Sequence, residues 1–393
     1  VEMSKIKTLA GAVLATTLTA GLSTSALAAA GDPVKIGVML PFSGIYAQLG
    51  EAGRDGLKLA LKEHAEKLHG SKVEFIELDT EAKPSRAPEL ASSLLNQHEA
   101  DFVIGPVHSG VAMGMIKMLR GKDTIMIIPN AGSAAATGPL CSPNVFRTSF
   151  SSWQPSYPMG KVALEKGYKK VYAISWNYGM GRESLDAFEE SFTAGGGEIV
   201  EKVLLPFPST NFQSHVSDIA DENPDAVFTF FAGGGAIKFV KDYDAMGLRG
   251  KIPLMGSGFL TEGTLQAQGD AAEGVMTGLH YAEQLDVPKN REFREAFNTE
   301  YGHYPDIYAV QGYDAGQAIA NTIDQLEGDI SDKQAVISTM EKLTIDSPRG
   351  EFTFSKAHNP IQNIYLREVK DGVNVVQSIA AEALEDPARG CKL

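Results

Sequence analysis

The sequence predicts an α/β protein of two doubly wound, Rossmann-like lobes that are joined by three crossovers of the chain. Short apolar runs alternate with amphipathic helical segments, and this rhythm occurs twice along the chain. Alternating strands and helices form right-handed βαβ units, and therefore parallel sheets. The 393 residues also exceed the usual size of one domain, roughly 100–200 residues. Two sheets with loops at their carboxyl edges predict a cleft between them.

The first lobe is predicted from four apolar runs separated by helical segments. The runs read VKIGVML (34–40), VEFIELD (73–79), DFVIG (101–105) and TIMIIP (124–129). The helical segments between them cover 50–68, the stretch PSRAPELASSLLNQ, and 110–120. Each strand is thus followed by a helix that returns the chain to the same sheet edge.

The second lobe repeats this order after FRTSFSSWQPSYP. Its predicted strands are KKVYAISW (169–176), GEIVEKVLLP, AVFTFF (226–231) and KIPLMGS, with a helix between each pair. After Gly274, VMTGLHYAE reads as a connecting strand, and two helical segments follow. The last part is hairpin-like, with Asp371-Gly372 as its turn signal.

A chain of this form must cross between the lobes more than once. We place the crossings near 149–151, 275–280 and 345–350. The following division results: an N-terminal lobe of 33–149 plus 278–346, a C-terminal lobe of 150–277 plus 347–385, and a tail of 386–393.

The first residues predict a secretory signal peptide over 1–28. A basic start at Lys5 and Lys7 precedes an apolar stretch from Leu9 to Leu22, and Ala26-Leu27-Ala28 gives a small-x-small cleavage pattern. A membrane anchor is the alternative, but the apolar run is short and interrupted by threonines. We therefore expect an exported protein.

Charge and cysteine content narrow the possible partners. The formal net charge is −14, and −15 without residues 1–28, so the surface repels nucleic acid and anionic membranes. The two cysteines, Cys141 and Cys391, predict a disulfide in an oxidising compartment, with two unpaired thiols as the alternative.

Two strand ends in the first lobe predict a site for an anion. The run ending at Gly105 breaks into GPVHSG, and the run ending at Pro129 breaks into PNAGSAAAT. Strands that restart as helices present unpaired N–H groups and a positive helix end at the sheet edge. Ser109 and Ser133 add hydroxyl donors. A carboxylate is favoured over a phosphate, because no P-loop spacing or lysine accompanies these turns.

Patterns typical of enzymes are missing from the sequence. It contains no GxSxG, HExxH or SxxK motif, and its eight histidines show no metal-ligand spacing. The glycine triplets at 195–197 and 233–235 do not continue as nucleotide-binding fingerprints. We therefore expect a binding protein without catalytic residues, cofactor or metal.

Seven segments of the chain, in order, resemble the leucine/isoleucine/valine-binding type of periplasmic substrate-binding protein that serves ABC transporters. They are VKIGVMLPFSGIYAQLGEAGRDGLKLAL, DFVIGPVHSG, IIPNAGSAAAT, NVFRTSFS, YGMGRESLDAF, LMGSGFL and DAAEGV. The resemblance implies the type I periplasmic-binding fold of two lobes joined by three crossovers. It also implies periplasmic location, closure of the lobes on a small solute, and delivery of that solute to an ABC permease in the inner membrane.

The resemblance also implies where a ligand carboxylate binds. Amino-acid binders of the family hold it with a serine at one strand end and small residues at the next, and a tyrosine of the second lobe reaches the ligand. These positions match Ser109, the segment Asn130, Ala131, Gly132 and Ser133, and Tyr178 in NYGMG.

The residues for a ligand ammonium differ from that pattern. A glutamate is expected after the strand IPLMGS, where this chain has Gly258, and an unpaired buried ammonium would cost several kcal/mol. Glu262 lies four residues further on and could compensate. An α-amino acid is thus disfavoured as ligand.

Flat side chains are expected to take the place of the ammonium group. The candidates are Tyr46, His108, Trp153, Tyr178, Phe231 and Phe259. Trp153 could equally pack against a crossover instead of the ligand. Phe230 is expected to be a core residue, and Arg147 is expected to brace the hinge.

The motif set most resembles the aromatic-acid branch of the family. We expect a monomeric binder of a benzoate- or hydroxycinnamate-like carboxylate. The alternatives are a binder of branched-chain amino acids or amides, or a ligand-sensing subunit of a membrane receptor.

Overall fold

The computed structural model describes residues 33–393. The predicted signal peptide lies outside these residues. None of the helices in 33–393 is both long enough and apolar enough to cross a membrane.

The first sheet contains five parallel strands, all from the first 150 residues. In chain order they are β1 (Val34–Leu40), β2 (Val73–Asp79), β3 (Phe102–Ile104), β4 (Ile125–Ile128) and β5 (Val145–Arg147). The sheet order is β2-β1-β3-β4-β5. Helices connect the first four strands: α1 (Ala47–Glu63), α2 (Ala87–Asn96) and α3 (Ser109–Leu119). The four predicted strands are confirmed, while the short β5 was not expected.

The second sheet is larger and mixed. Its parallel part contains β6 (Lys170–Trp176), β7 (Glu198–Leu205), β8 (Ala226–Phe230), β9 (Leu254–Ser257) and β10 (Met276–Leu279). The helices of this part are α4 (Tyr157–Glu165), α5 (Gly179–Ala194), α6 (Gln213–Glu222), α7 (Gly233–Ala245) and the short α8 (Leu265–Gln268). This strand and helix order is the βαβ repeat that the sequence predicted.

Three more helices follow β10: α9 (Pro288–Tyr301), α10 (Ile307–Gln325) and α11 (Lys333–Met340). Helix α10 packs on α1 of the first lobe so closely that a Cβ atom on Gly56 would lie 1.9 Å from the carbonyl oxygen of Ala309. Asp306 caps the amino end of α10 by accepting the N–H groups of Tyr308 and Ala309. This helix therefore completes the first lobe although it follows most of the second in sequence.

The chain ends in antiparallel strands: β11 (Thr344–Ile345), β12 (Phe352–Phe354), β13 (Pro360–Lys370) and β14 (Val373–Leu384). The path through the second sheet is β11-β12-β13-β10-β9-β8-β6-β7, and β14 pairs with β13. Asp371 and Gly372 form the turn between β13 and β14 with φ of 51° and 75°. The predicted hairpin is confirmed.

One predicted lobe boundary needs correction. The division between 277 and 278 falls inside β10, whose residues pair with β9 on one side and β13 on the other. Because both neighbours belong to the second sheet, the whole strand does too, and the chain changes lobes after Leu279. The other boundaries remain predictions.

Two buried arginines brace the crossovers. Arg147 donates to the carbonyl oxygens of Gly132, Ser133 and Phe150. Arg349 donates to those of Thr148 and Ser149. The bracing role predicted for Arg147 is confirmed, and the guanidinium charge is spread over carbonyl dipoles rather than offered to a ligand.

The predicted disulfide is present. Cys141, in the first lobe, is bonded to Cys391 in the tail, with 5.6 Å between their Cα atoms. The same tail contacts the second lobe, where Arg389 pairs with Glu190 of α5 at 2.6 Å. The tail is thus attached to both lobes.

Candidate functional site

A small cavity lies between the lobes. First-lobe residues that follow β1, β3 and β4 face second-lobe residues that follow β6, β8 and β9. The lining comprises Tyr46, Leu49, Val107, Asn130, Gly132, Phe150, Tyr178, Met180, Phe230, Ala232, Phe259 and Tyr308. No charged side chain lines the cavity.

Two tyrosines meet across the cavity. The hydroxyl oxygens of Tyr46, from the first lobe, and Tyr178, from the second, lie 2.9 Å apart. Burial raises the pKa of both hydroxyl groups above the ordinary tyrosine value. Both therefore stay protonated at neutral pH. Because one hydroxyl donates its proton to the other, one proton of the pair is left to donate to an anion.

Further aromatic rings complete the wall beside this pair, and Phe230 contacts Tyr178 with ring centroids 6.0 Å apart. The ring of Phe259 lies 4.7 Å from Phe150, 6.2 Å from Phe230 and 6.0 Å from Tyr308, measured between centroids. These separations suit edge-on and offset contacts with a further ring. The Tyr308 hydroxyl has no partner among the described residues, although it is buried.

His108 lies behind Tyr178 rather than in the cavity lining. Its ring stacks on the Tyr178 ring with centroids 4.5 Å apart, and Phe207 packs against both rings. The Nδ1 atom accepts the N–H of Gly110 at 3.0 Å, which caps α3. Burial lowers the pKa of His108 to about 4, so the ring is neutral and its proton is on Nε2.

Ser109 is buried at the contact between the lobes. Its Oγ atom has no hydrogen-bond partner in residues 33–393. Directly opposite is Gly179 at the start of α5, where an added Cβ atom would lie 2.9 Å from the Cβ of Ser109. The absence of a side chain at 179 therefore lets the amino end of α5 approach the serine.

Four residues in the turn after β4 were predicted to contact the ligand, and only two of them line the cavity. Asn130 and Gly132 line the cavity, whereas Ala131 and Ser133 are not in the lining. The Ala131 N–H donates to the carbonyl of Pro106 at 3.0 Å, and its methyl group packs in the first-lobe core. Ser133 donates its proton to Glu183 at 3.2 Å. A hydroxyl engaged in this way is not free for a ligand carboxylate.

The structure reverses the assignment of the two phenylalanines after β8. Phe230 lines the cavity, and Phe231 is buried against Trp176, Phe212 and Phe239. Consecutive side chains of extended backbone point in opposite directions, so only one of the pair can face the cleft. Trp153 also lies outside the lining and stacks on Tyr157 at 4.4 Å.

Glu262, the acid that could have replaced the missing glutamate, is engaged inside the protein. It forms a buried ion pair with Arg367 and also accepts the N–H of Ile307 at 3.3 Å. Arg367 further donates to the carbonyls of Gly258 and Tyr281. The cavity therefore lacks a free carboxylate for an ammonium group.

Two helix amino ends of the second lobe point toward the cavity. Helix α5 starts after Tyr178 and α7 after Ala232, and neither has a side-chain cap. Uncapped first-turn N–H groups and the positive helix end favour an anion nearby. The anion site predicted from the first lobe thus gains donors from the second.

Sequence reasoning missed several residues of the lining: Leu49, Val107, Phe150, Met180, Phe230, Ala232 and Tyr308. Val107 lies in the GPVHSG turn that the strand-end argument identified. Met180 and Ala232 lie close in sequence to Tyr178 and Phe231, which the family resemblance and the aromatic pattern named. Tyr308 sits at the start of α10, and no local signal connects it with the first strands. Within residues 33–393 no group of three or more His, Cys, Asp or Glu side chains could hold a metal ion.

Comparison with known sequences identifies one family. The sequence profile of the periplasmic binding proteins matches residues 33–374. The Leu/Ile/Val-binding protein homolog 6 of Brucella melitensis biotype 1 is 34% identical over 363 residues, which cover 91% of this chain and 92% of the relative.

Comparison with solved structures points to the same kind of protein. A solute-binding protein of an ABC transporter from R. palustris, in complex with benzoate, has a TM-score of 0.89 and 44% identity, with 92% of this chain and 100% of that chain covered. A solute-binding protein from Rhodopseudomonas palustris BisB5, in complex with 3,4-dihydroxybenzoic acid, has a TM-score of 0.86 and 31% identity. Its match covers 91% of this chain and 99% of that chain. The two-lobed type I fold is therefore confirmed.

Proposed function

The chain belongs to the periplasmic binding protein family, and from this membership we propose that it captures an aromatic carboxylate between its lobes for an ABC permease. The observation that carries the ligand class is the composition of the cavity. Its walls are largely aromatic, its polar side chains are neutral, and Glu262, the acid that the sequence offered for an ammonium group, is paired with Arg367.

A single aromatic ring of the ligand can pack against the wall formed by Phe150, Phe230 and Phe259. Favourable ring contacts contribute about 0.5–1.5 kcal/mol beyond the burial of area. The carboxylate is received by neutral donors: the free proton of the Tyr46–Tyr178 pair, the unpartnered Ser109 hydroxyl, and the helix amino ends. Hydrogen bonds to a charged group contribute about 1.5–3 kcal/mol each, so a lysine or arginine is not required.

A branched-chain amino acid is the second candidate, because relatives at 34% identity carry Leu/Ile/Val-binding names. The cavity argues against it. A buried ammonium needs a carboxylate partner, and desolvation without one costs several kcal/mol. Breaking the Glu262–Arg367 pair to supply that partner would leave the arginine buried without its counter-charge.

The remaining parts of the proposal concern location and assembly. Export to the periplasm follows from the predicted signal peptide together with the family. We also propose that the protein acts as a monomer that releases its ligand to the permease.

Isothermal calorimetry and thermal shift against two ligand panels test the ligand class. One panel contains benzoate, 4-hydroxybenzoate and hydroxycinnamates, and the other contains leucine, isoleucine and valine. We expect binding and stabilisation by members of the first panel alone. Stabilisation by leucine or valine with no response to any aromatic acid would refute the proposal.

A further inference from the structure

Three side chains form a hydrogen-bonded chain that ends at the cavity. Asn130, in the lining, donates its Nδ2 proton to the Oε1 atom of Gln311 at 2.7 Å. The Nε2 atom of Gln311 lies 3.2 Å from the Nε2 atom of His280. Gln311 is on α10 and His280 directly follows β10, so this series of hydrogen bonds starts at the second crossover of the polypeptide. All three side chains are buried.

The chemistry of each group fixes the direction of this chain. An amide nitrogen only donates, so Gln311 donates to His280 and the Nε2 atom of His280 accepts. The imidazole must then be neutral with its proton on Nδ1. Burial and the charges of Arg349 and Arg367 lower the pKa of His280 well below 6.5, which agrees with a neutral ring.

The Nδ1 atom has no partner among the described residues. The His280 ring is held instead by stacking on Phe150, with centroids 5.5 Å apart. The His280 end of this series of hydrogen bonds is thus held by Phe150, which itself lines the cavity.

The direction of the chain determines what Asn130 offers to a ligand. Its amide nitrogen is committed to Gln311, and its Oδ1 atom accepts no hydrogen bond from the part of the protein that the structure describes. The other polar side chains in the lining are the hydroxyls of Tyr46, Tyr178 and Tyr308, which both donate and accept. The Asn130 Oδ1 atom differs from these hydroxyls because it can only accept.

We propose that His280 and Gln311 orient Asn130 so that its Oδ1 atom accepts a hydroxyl proton of the ligand, which makes the site selective for hydroxy-substituted aromatic carboxylates. This inference rests on the proposed function for the carboxylate itself. A site built to pair with a hydroxyl disfavours the analogue that lacks it, because the buried acceptor is then left unpaired. His280 and Gln311 are positioning residues, since Asn130 alone reaches the ligand.

The tautomer of His280 tests the direction without any ligand. Nitrogen NMR of the full chain with ¹⁵N-labelled histidine distinguishes a proton on Nδ1 from a proton on Nε2, and the variant His280→Gln identifies the signal. We expect a neutral ring protonated on Nδ1. Protonation on Nε2 would reverse the direction of both hydrogen bonds and turn the Asn130 nitrogen toward the cavity as a donor. That result would overturn the proposal.

Calorimetry with benzoate, 3-hydroxybenzoate and 4-hydroxybenzoate tests the selectivity. We expect the wild type to bind at least one hydroxybenzoate about three- to tenfold more tightly than benzoate. Gln311→Met, which frees the Asn130 amide to turn, should remove this preference. Gln317→Met is the matched control, because Gln317 is also buried on α10 but bonds to Asp314 and the Asp346 carbonyl, and it should keep the preference.

Equal affinity of the wild type for all three acids, or a preference retained in Gln311→Met, would overturn the proposal. Failure of the wild type to bind any of the three acids would instead refute the proposed function, and the ligand selectivity would fall with it. The two failures are therefore distinguishable.

Discussion

The carboxylate of Glu183 reaches from the second lobe to the first, where it accepts the backbone N–H of Ala134 with 2.8 Å between Oε2 and N. The same carboxylate accepts the Ser133 proton. Helix α5, which carries Glu183, also begins at the cavity. Contact between the lobes thus places a carboxylate in a buried environment beside the turn that follows β4.

Glu183 is expected to make closure of the lobes depend on pH. Burial raises its pKa, although the hydrogen bonds and the charge of Arg147 oppose this rise. A carboxyl group with a raised pKa binds its proton more tightly in the closed state, so closure takes up a proton. Its contribution to closure is present at low pH and is lost as the pH rises through the raised pKa. We expect ligand affinity to increase as the pH falls from neutral toward the ordinary pKa of a glutamate.

The variant Glu183→Gln separates the contribution of Glu183 to the pH dependence from the contributions of other acids. Burial also raises the pKa of Glu262 and Asp306, and these groups remain in the variant. The glutamine can still accept the Ala134 N–H but does not titrate. Calorimetry across the pH range should show a flatter curve for the variant and tighter binding near neutral pH. Parallel curves for the two proteins would exclude Glu183 as the cause.

Ser109→Ala is expected to weaken ligand binding without lowering stability. The Ser109 hydroxyl has no partner in the described structure, so its removal breaks no hydrogen bond within the protein. The loss of one hydrogen bond to a carboxylate should cost about 1.5–3 kcal/mol of binding free energy. Calorimetry and thermal unfolding measure the two quantities separately.

Ser191→Ala provides the matched control for Ser109. The Ser191 hydroxyl is buried in the second lobe and donates to backbone carbonyls of the same lobe, including that of Phe188 at 3.2 Å. Its replacement should lower stability by about 1 kcal/mol and leave affinity unchanged. An unchanged affinity in Ser109→Ala would remove Ser109 from the site.

Gly179→Ala is expected to hinder closure. The new methyl group would lie 2.9 Å from the Cβ atom of Ser109 in the opposite lobe, a contact that exists only when the lobes meet. Forced contacts of this kind cost about 1–3 kcal/mol. Ligand affinity should fall by that amount, and small-angle scattering should show a smaller ligand-induced decrease in radius of gyration.

Gly114→Ala makes a comparable clash within one lobe. Its added Cβ atom would lie 2.7 Å from the Cβ atom of Ala87. This variant should lower the melting temperature but keep the affinity and the scattering change of the wild type. If Gly179→Ala behaves in the same way, its contact does not limit closure.

Removal of the disulfide is expected to destabilise the folded protein. Cys141→Ser opens a covalent loop that spans a sequence separation of 250 residues. Loss of a native disulfide typically costs about 2–5 kcal/mol. Chemical denaturation should show this difference, and a reductant should destabilise the wild type but leave Cys141→Ser unaffected. Equal stability of both proteins would contradict the prediction.

The strand ends were predictable from sequence because each one is a local pattern. An apolar run that stops at Gly, Pro or Ser and continues as a helix defines the sheet edge, and Asn130 and Gly132 of the lining lie in a turn found in this way. Ser109, from the same pattern, lies at the lobe contact outside the lining, and Tyr178 was identified from the family resemblance. The aromatic character of the cavity was also predicted, through Tyr46 and Phe259.

The orientation of single side chains and the contacts between lobes could not be predicted in this way. Phe230 and Phe231 are adjacent and equally apolar, so only the register of β8 decides which ring faces the cleft. The partner of Ser133 is Glu183, 50 residues away on a helix of the other lobe. Tyr308 enters the cavity because α10 returns to the first lobe, which depends on the whole topology.

The Cys141–Cys391 bridge has a consequence for biogenesis. Because a polypeptide is made from its amino end, Cys141 emerges 250 residues before its partner. All strands of the second sheet are made in that interval. The sequence contains no third cysteine, so Cys141 has no wrong partner within the chain while it waits. A wrong pairing within the chain therefore cannot arise, so no disulfide isomerase is needed to correct one, and the bond can close only after every strand of the second sheet has been made.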